Sequence, residues 1–346
     1  MKRYAGVLIL GVTAVVTAGV VLGAQAAQVA PDWAYGYLTP VAAGDRVAPP
    51  CPPTAKAFPD CAYVGAPIPE DGVKRTLAGT SRSFTRNEVF FDYGPADWYP
   101  EDHPAMPDIV ARGKQSQGVR ACALCHYPNG QGKMENGSVA GLPEAYILQQ
   151  LEAFKTGARR SADPRKANTL EMAQIARSLT PEEAKAAAAY FSSMKWRPWV
   201  RVVEAEKAPA VRQTMNGLFM PVPNAPPIPL GQRIIEMPEH PERTDGVRDP
   251  RAGFVAYVPV GSIAKGEAIV TTGGGKTVQC GLCHGLDLKG MKDVPGIAGR
   301  TASYTMRQLW DIKQGTRKSP QMTAIVAPLT IEDMINITAY AASRMP

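Results

Sequence analysis

Two stretches carry apolar residues at the three- and four-residue spacing of an amphipathic helix, AYILQQLEAFKTG (145–157) and SYTMRQLWDIKQG (303–315), each closed by a glycine, Gly157 or Gly315. A further helix is predicted from Thr180. There Thr is the N-cap, Pro181 the first helical residue and Glu182 and Glu183 the acidic first turn, with the body running from Ala184 to Met194. Its counterpart starts at Thr330, followed by Ile331, Glu332 and Asp333, and short helices are predicted near Ile109 and Ile263. One run is different in kind: Ala5 to Leu22 is almost wholly apolar, follows Lys2 and Arg3, and leads to Ala24, Gln25, Ala26. That is the pattern of a secretory signal cleaved after Ala26, with an uncleaved N-terminal membrane helix as the alternative. Both place the remainder across a membrane, in the periplasm, and no later segment is apolar enough to span.

The helices belong to a duplication. Cys122, Cys125 and His126 reappear as Cys280, Cys283 and His284, and at the same offset Gly141 falls on Gly299, Tyr146 on Tyr304, Gln150 on Gln308, Gly157 on Gly315 and Arg159 on Arg317. The first copy then carries extra residues, after which Met172 falls on Met322, Ile175 on Ile325, Thr180 on Thr330 and Tyr190 on Tyr340. One unit has been repeated.

The repeated motif carries the chemistry. A C-x-x-C-H is expected by chance only roughly 0.001 times in a chain with 6 Cys and 4 His, and this chain has it twice. Two thiols one helical turn apart can join the two vinyl groups of one haem, and the adjacent histidine then points its imidazole at the iron. A zinc site would need four ligands in one cluster, and a redox cysteine pair a strand-to-helix junction; neither suits these surroundings. Cys51 and Cys61 have no following histidine, and in an oxidising compartment a disulfide between them is expected.

A sixth iron ligand would keep each haem closed to substrate, and methionine is the soft choice. Of 13 methionines, Met172 and Met322 are the pair that repeats, whereas Met134, Met194, Met291, Met306 and Met334 do not. His103 and His240 lie in Pro-rich stretches and read as loop residues. Composition adds less. Proline, 32 of 346, is about twice its usual share of ~5%, so long parts of the chain are extended or looped. The net charge of +7 has its signs interspersed, which argues against nucleic acid. Lys155, Arg159, Arg160, Arg165 and Lys166, with Lys313, Arg317 and Lys318 in the second copy, are expected either to frame the haem edges and steer acidic partners or to sit at solvated helix ends.

These residues resemble class I cytochromes c, and the tandem arrangement is similar to the dihaem cytochrome c4 family. The shared features are the two C-x-x-C-H motifs, the Q-L-x-x-[FI]-K-x-G-x-R segments, the M-x-x-[IV] regions and the L-T-x-E-[DE] helix starts, over about residues 106–196 and 255–346. The resemblance implies a mainly α fold with two cytochrome c domains and two covalently bound haem c groups. It implies Cys122, Cys125, Cys280 and Cys283 as attachment points, with His126, Met172, His284 and Met322 on the irons. It also implies redox protein partners, a dehydrogenase or cytochrome bc-type donor and an oxidase or other acceptor. The expected organisation is a signal (1–26), a Pro-rich N-terminal extension (27–105), a first domain (106–200), an irregular Pro-rich linker (201–252) and a second domain (253–346). The function expected is one-electron transfer without enzymatic activity of its own. Two alternatives stay open: a fixed cytochrome subunit of a periplasmic or membrane-bound complex, favoured by the added segments, and a dihaem enzyme of peroxidase or thiosulfate-oxidising type.

Overall fold

The computed structural model describes residues 30–39, 70–214 and 217–346; the expected signal and the Cys51–Cys61 pair lie outside them. The described chain is mainly helical. In the N-terminal part, β1 (Arg75–Thr76) pairs antiparallel with β2 (Ser83–Phe84), followed by the single-turn α1 (Arg86–Val89). The first repeat contains α2 (Asp108–Ala111), α3 (Cys122–His126), α4 (Glu144–Lys155), α5 (Ala167–Ser178) and α6 (Pro181–Ser192). The second contains α7 (Ser262–Thr272), α8 (Gly281–His284), α9 (Ala302–Lys313), α10 (Pro320–Val326) and α11 (Ile331–Ser343).

Local chemistry accounts for the boundaries. Thr180 and Thr330 each accept from the backbone N–H three residues on, of Glu183 and Asp333, whose carboxylates accept from the threonine N–H in return. Such a reciprocal cap satisfies two donors that a helix start otherwise leaves open. After α4 and α9 the chain turns at Gly157 (φ +75°) and Gly315 (φ +69°), a left-handed conformation in which a side chain would be strained. Each repeat encloses its own apolar cluster. Ile147, Ile175, Ala188 and Phe191 lie at the centre of the first, and Met306, Leu309, Met334 and Ile337 in the second. The repeats differ in their opening helix, which is a single turn in α2 but 11 residues in α7. On α7, Gly266 lies so close to the carbonyl of Asn336 on α11 that no side chain fits there.

The segment expected as an irregular linker is a folded β module. Val200–Glu204 forms β3, and short strands β4 (Lys207–Ala208), β5 (Val211–Gln213), β6 (Phe219–Pro221), β7 (Ile228–Pro229) and β8 (Ile235–Pro238) lead to β9 (Phe254–Val258). β3 runs parallel to β9, and β8 antiparallel to it, so the strand leaving the first repeat is paired with the strand leading into the second. The β-branched and aromatic runs RVVE and FVAYV account for the pairing. The prolines occupy short or edge positions, where a missing N–H costs little. Phe219, Leu230, Ile235 and Phe254 make its core together with Tyr127 and Met134 of the first repeat.

The N-terminal extension has a small core of its own around Val89, Trp98 and Tyr99. Its earlier segment reaches across to the second repeat, where the Tyr35 hydroxyl donates to Asp311 at 2.6 Å and Arg307 donates to the carbonyl of Ala34 at 2.7 Å.

Glu236 ties the β module to α9. Its carboxylate is fully buried and accepts from the N–H groups of Ala302 and Ser303 at 3.2 and 2.8 Å. Burial pushes its pKa from the ordinary 4.5 up to about 7. The folded state therefore holds this proton more tightly than the unfolded chain does. The stabilisation is present in full below pH 4.5 and is lost as pH rises through 7, a decline of about 3 kcal/mol. Urea unfolding at pH 5 and pH 7.5 should show that decline in the native chain and a flatter profile in Glu236→Gln; equal slopes would remove Glu236 as its source.

Candidate haem sites and the junction between them

Each C-x-x-C-H occupies a single helical turn that ends at its histidine, α3 in the first repeat and α8 with Cys280 as its N-cap in the second. The two imidazoles are oriented in the same way. His126 Nδ1 lies 2.6 Å from the carbonyl of Gly137, and His284 Nδ1 lies 2.8 Å from the carbonyl of Pro295, the corresponding residue of the second copy. A carbonyl can only accept, so each Nδ1 carries the proton and each Nε2 keeps its lone pair for a metal. Burial holds both imidazoles below their ordinary pKa, which favours the same neutral form.

The cysteines do not resemble a redox pair. Burial pushes the Cys122 thiol up to about 12 and that of Cys125 up to about 11, opposite to the depression that makes a reactive C-x-x-C thiolate. Met172, in the first half of α5, packs against the same apolar cluster as Cys122. Met322, in the first turn of α10, packs against the same cluster as Cys280. Burial alone does not separate the non-repeating methionines: Met194 lies in the same cluster as Cys122, and Met306 and Met334 lie fully buried on α9 and α11 in the same cluster as Cys280, so it is the repeat that singles out Met172 and Met322; Met134 belongs to the β-module core and Met291 is half exposed. His103 is not the surface residue expected from its Pro-rich surroundings. Both its ring nitrogens are engaged, with Asp97 and the Pro104 carbonyl, and the ring lies beside Tyr190. His240 is exposed. Two thiols and an oriented imidazole on one turn, with a methionine on the same apolar wall, suit a covalently attached haem in either repeat.

Of the cations expected to frame the haem edges, Arg159 and Arg317 form the junction between the repeats instead, while Lys155, Arg160 and Lys318 keep exposed side chains. Arg159 donates to Gln150 in its own repeat at 2.9 Å, and across the junction to the Tyr304 hydroxyl at 2.6 Å and Gln308 at 2.8 Å. Arg317 mirrors it, donating to Gln308 at 2.8 Å, the Tyr146 hydroxyl at 2.8 Å and Gln150 at 3.0 Å. The backbone follows the same symmetry, with Arg160 N–H on the Thr316 carbonyl at 2.9 Å and Lys318 N–H on the Ala158 carbonyl at 2.7 Å. Each of these contacts maps onto another when the copies are exchanged, so this part of the junction is a self-complementary face like that of a two-fold dimer, built within one chain. Arg165 and Lys166 are also buried. Arg165 donates to Asp163 at 2.6 Å and Asp32 at 2.7 Å, and Lys166 reaches the Tyr35 carbonyl at 3.2 Å. Arg159, Arg317, Arg165 and Lys166 thus have partners inside the chain and are withdrawn from the surface.

Comparison with known proteins agrees with this chemistry. The cytochrome c family profile matches residues 110–195. The chain is similar to cytochrome c4 of Pseudomonas aeruginosa, 37% identical over 82 residues, covering 23% of this chain and 40% of that protein. It is also similar to a thiosulfate dehydrogenase electron acceptor of Stutzerimonas stutzeri, 39% identical over 96 residues, covering 26% and 44%. Residues 110–195 form a class I cytochrome c domain, and the chain resembles the cytochrome c4 family. The aligned part of this cytochrome spans 40 to 44% of the length of those relatives. Among solved structures it is similar to the cytochrome c4 of Acidithiobacillus ferrooxidans at a TM-score of 0.42 and 22% identity, covering 64% of this chain and 98% of that one. The family implies covalently bound haem c and electron transfer. Among the described residues of this cytochrome, no helix is long and apolar enough to cross a membrane.

Proposed function

We propose that this chain is an exported dihaem electron-transfer protein made of two tandem cytochrome c domains. Cys122, Cys125, His126 and Met172 would hold one haem, and Cys280, Cys283, His284 and Met322 the other. The observation that carries the reading is the repeated anchoring of both histidines, each turned by an Nδ1 bond to the equivalent carbonyl so that Nε2 is free for iron. Bound haem supplies reversible one-electron exchange between ferric and ferrous iron. The chain's own part is to orient the imidazole, wall the site with apolar side chains and offer a thioether; the apolar wall and the thioether would favour the ferrous state relative to bis-imidazole ligation. With His126 and Met172, and His284 and Met322, each holding a haem from the chain, neither site would be open to substrate, which argues against a separate enzymatic activity.

The partners are redox proteins, a dehydrogenase or quinol-oxidising complex on one side and a terminal acceptor on the other, met in the periplasm after cleavage behind Ala26. Relatives named as electron acceptors of thiosulfate dehydrogenase support a dehydrogenase as donor. A fixed place in a larger complex is the second reading, favoured by the N-terminal extension and β module that the chain folds against its repeats. Recovery of a larger redox enzyme with the chain would select it. An optical redox titration of the purified mature protein tests the main reading. Two low-spin His/Met haems at positive potentials are expected; a high-spin or very low-potential haem would make that iron a candidate active site and overturn the carrier.

A further inference from the structure

The two C-x-x-C-H edges are built from equivalent residues but differ in exposure. In the first repeat Leu124 is 5% exposed, and Pro128 and Lys133 are buried. Their counterparts in the second repeat are open: Leu282 at 57%, Leu286 at 90% and Met291 at 48%, with Cys283 exposed as well. A specific cover closes the first edge. Arg120 pairs with Glu171 at 3.1 Å and lies 3.6 Å from Asp92 of the N-terminal extension, whose carbonyl also accepts from Ala121 N–H. Arg248 of the β module lies over the rings of both Tyr127 and Phe90. The second repeat has Val278 and Gln321 where the first has Arg120 and Glu171, so it lacks the ion pair, and both residues are exposed.

Since the cysteines of each motif are the points of haem attachment, their cover is the cover of the haem edge. Resting on the dihaem reading, we propose that this cytochrome exchanges electrons with its partner through the second repeat alone, at the apolar face of Val278, Leu282, Leu286 and Met291, and that the first repeat is shut off from partners by the chain itself. The charges bordering that face balance, Asp287 and Asp293 against Lys289 and Lys292. It therefore fits a redox protein with an uncharged, apolar contact face, and its docking is insensitive to salt. Exposed apolar side chains grouped in this way are uncommon on a surface that stays wet.

The test uses the full-length holoprotein. A neutral gadolinium chelate should broaden the haem methyl NMR signals of the second repeat and spare those of the first. At a gold electrode coated with a methyl-terminated monolayer, a stand-in for an uncharged apolar partner face, Leu282→Asp and Leu286→Asp should each slow electron exchange at least tenfold. Both residues are exposed, so these variants fold. The combined Arg120→Val and Glu171→Gln variant writes the second repeat's residues into the first and should make the first set of methyls chelate-sensitive. Equal broadening of both sets in the native protein, or unchanged exchange in both leucine variants, overturns the proposal. So does a Leu286-dependent dimer in sedimentation, which would give the face to a second copy. Fewer than two covalent haems per chain would instead overturn the dihaem reading on which the proposal rests.

Discussion

Met322→His should lower the midpoint potential of the second haem by on the order of 0.1 V or more while leaving the first in place, since axial ligands set haem potentials over a range of about 0.8 V. A thioether is a soft, neutral donor that favours ferrous iron, whereas a second imidazole stabilises the ferric state. Met322 is the residue to change because it opens α10 against the same apolar cluster as Cys280 and is the partner, in the duplication, of Met172 against Cys122. Met172→His should lower the first potential in the same way. In each variant the absorption band of a methionine–ferric bond should lose about half its intensity, because the proposed ligation has two such bonds and the variant keeps one. A redox titration that finds both potentials and the whole band unchanged in Met322→His would take the second iron's ligand away from this position.

How much of this was legible beforehand follows from the range of the interactions. The helix ends were, because their signals are local: Thr180 with Glu183 and Thr330 with Asp333 close reciprocal caps within four residues, and Gly157 and Gly315 turn the chain at once. The motif histidines stood out as candidate ligands, but what orients them did not, since the carbonyls of Gly137 and Pro295 are chosen by the path of a loop and carry no side-chain signature. The β module was missed because its prolines outweighed two runs, RVVE and FVAYV, that pair only when brought together across some fifty residues of intervening chain. Within the basic segments, Arg159 and Arg317 were misread for the same reason. A guanidinium near a helix end looks solvated until the other repeat supplies a tyrosine and a glutamine for it. The signal that could have corrected this was present, because Tyr146, Gln150 and Arg159 all recur at one offset, as residues of a self-complementary face must.

The junction yields the second large expectation. Replacing Arg159 and Arg317 together by Met should turn a single calorimetric unfolding transition into two. Each arginine makes two cross-repeat hydrogen bonds and is nearly buried, at 7% and 9% exposure, so each charge is compensated mainly by those partners. A hydrogen bond to a charged group contributes about 1.5 to 3 kcal/mol, and truncating one arginine also leaves a part-buried tyrosine hydroxyl without its donor, while each glutamine carbonyl keeps the other arginine. Each single change should therefore cost about 3 kcal/mol. The two should couple by about 1 kcal/mol, because Gln150 and Gln308 each accept from both guanidiniums. Arg159→Lys should recover little, as an ammonium cannot present two N–H groups in the plane that the tyrosine and glutamine share. The repeats keep separate apolar clusters, so loss of the junction leaves two cores able to melt at different temperatures. A single transition in the double variant, lowered but undivided, would mean that the β3–β9 pairing and the Tyr35–Asp311 strap hold the repeats together and that the arginine pair only sets their orientation.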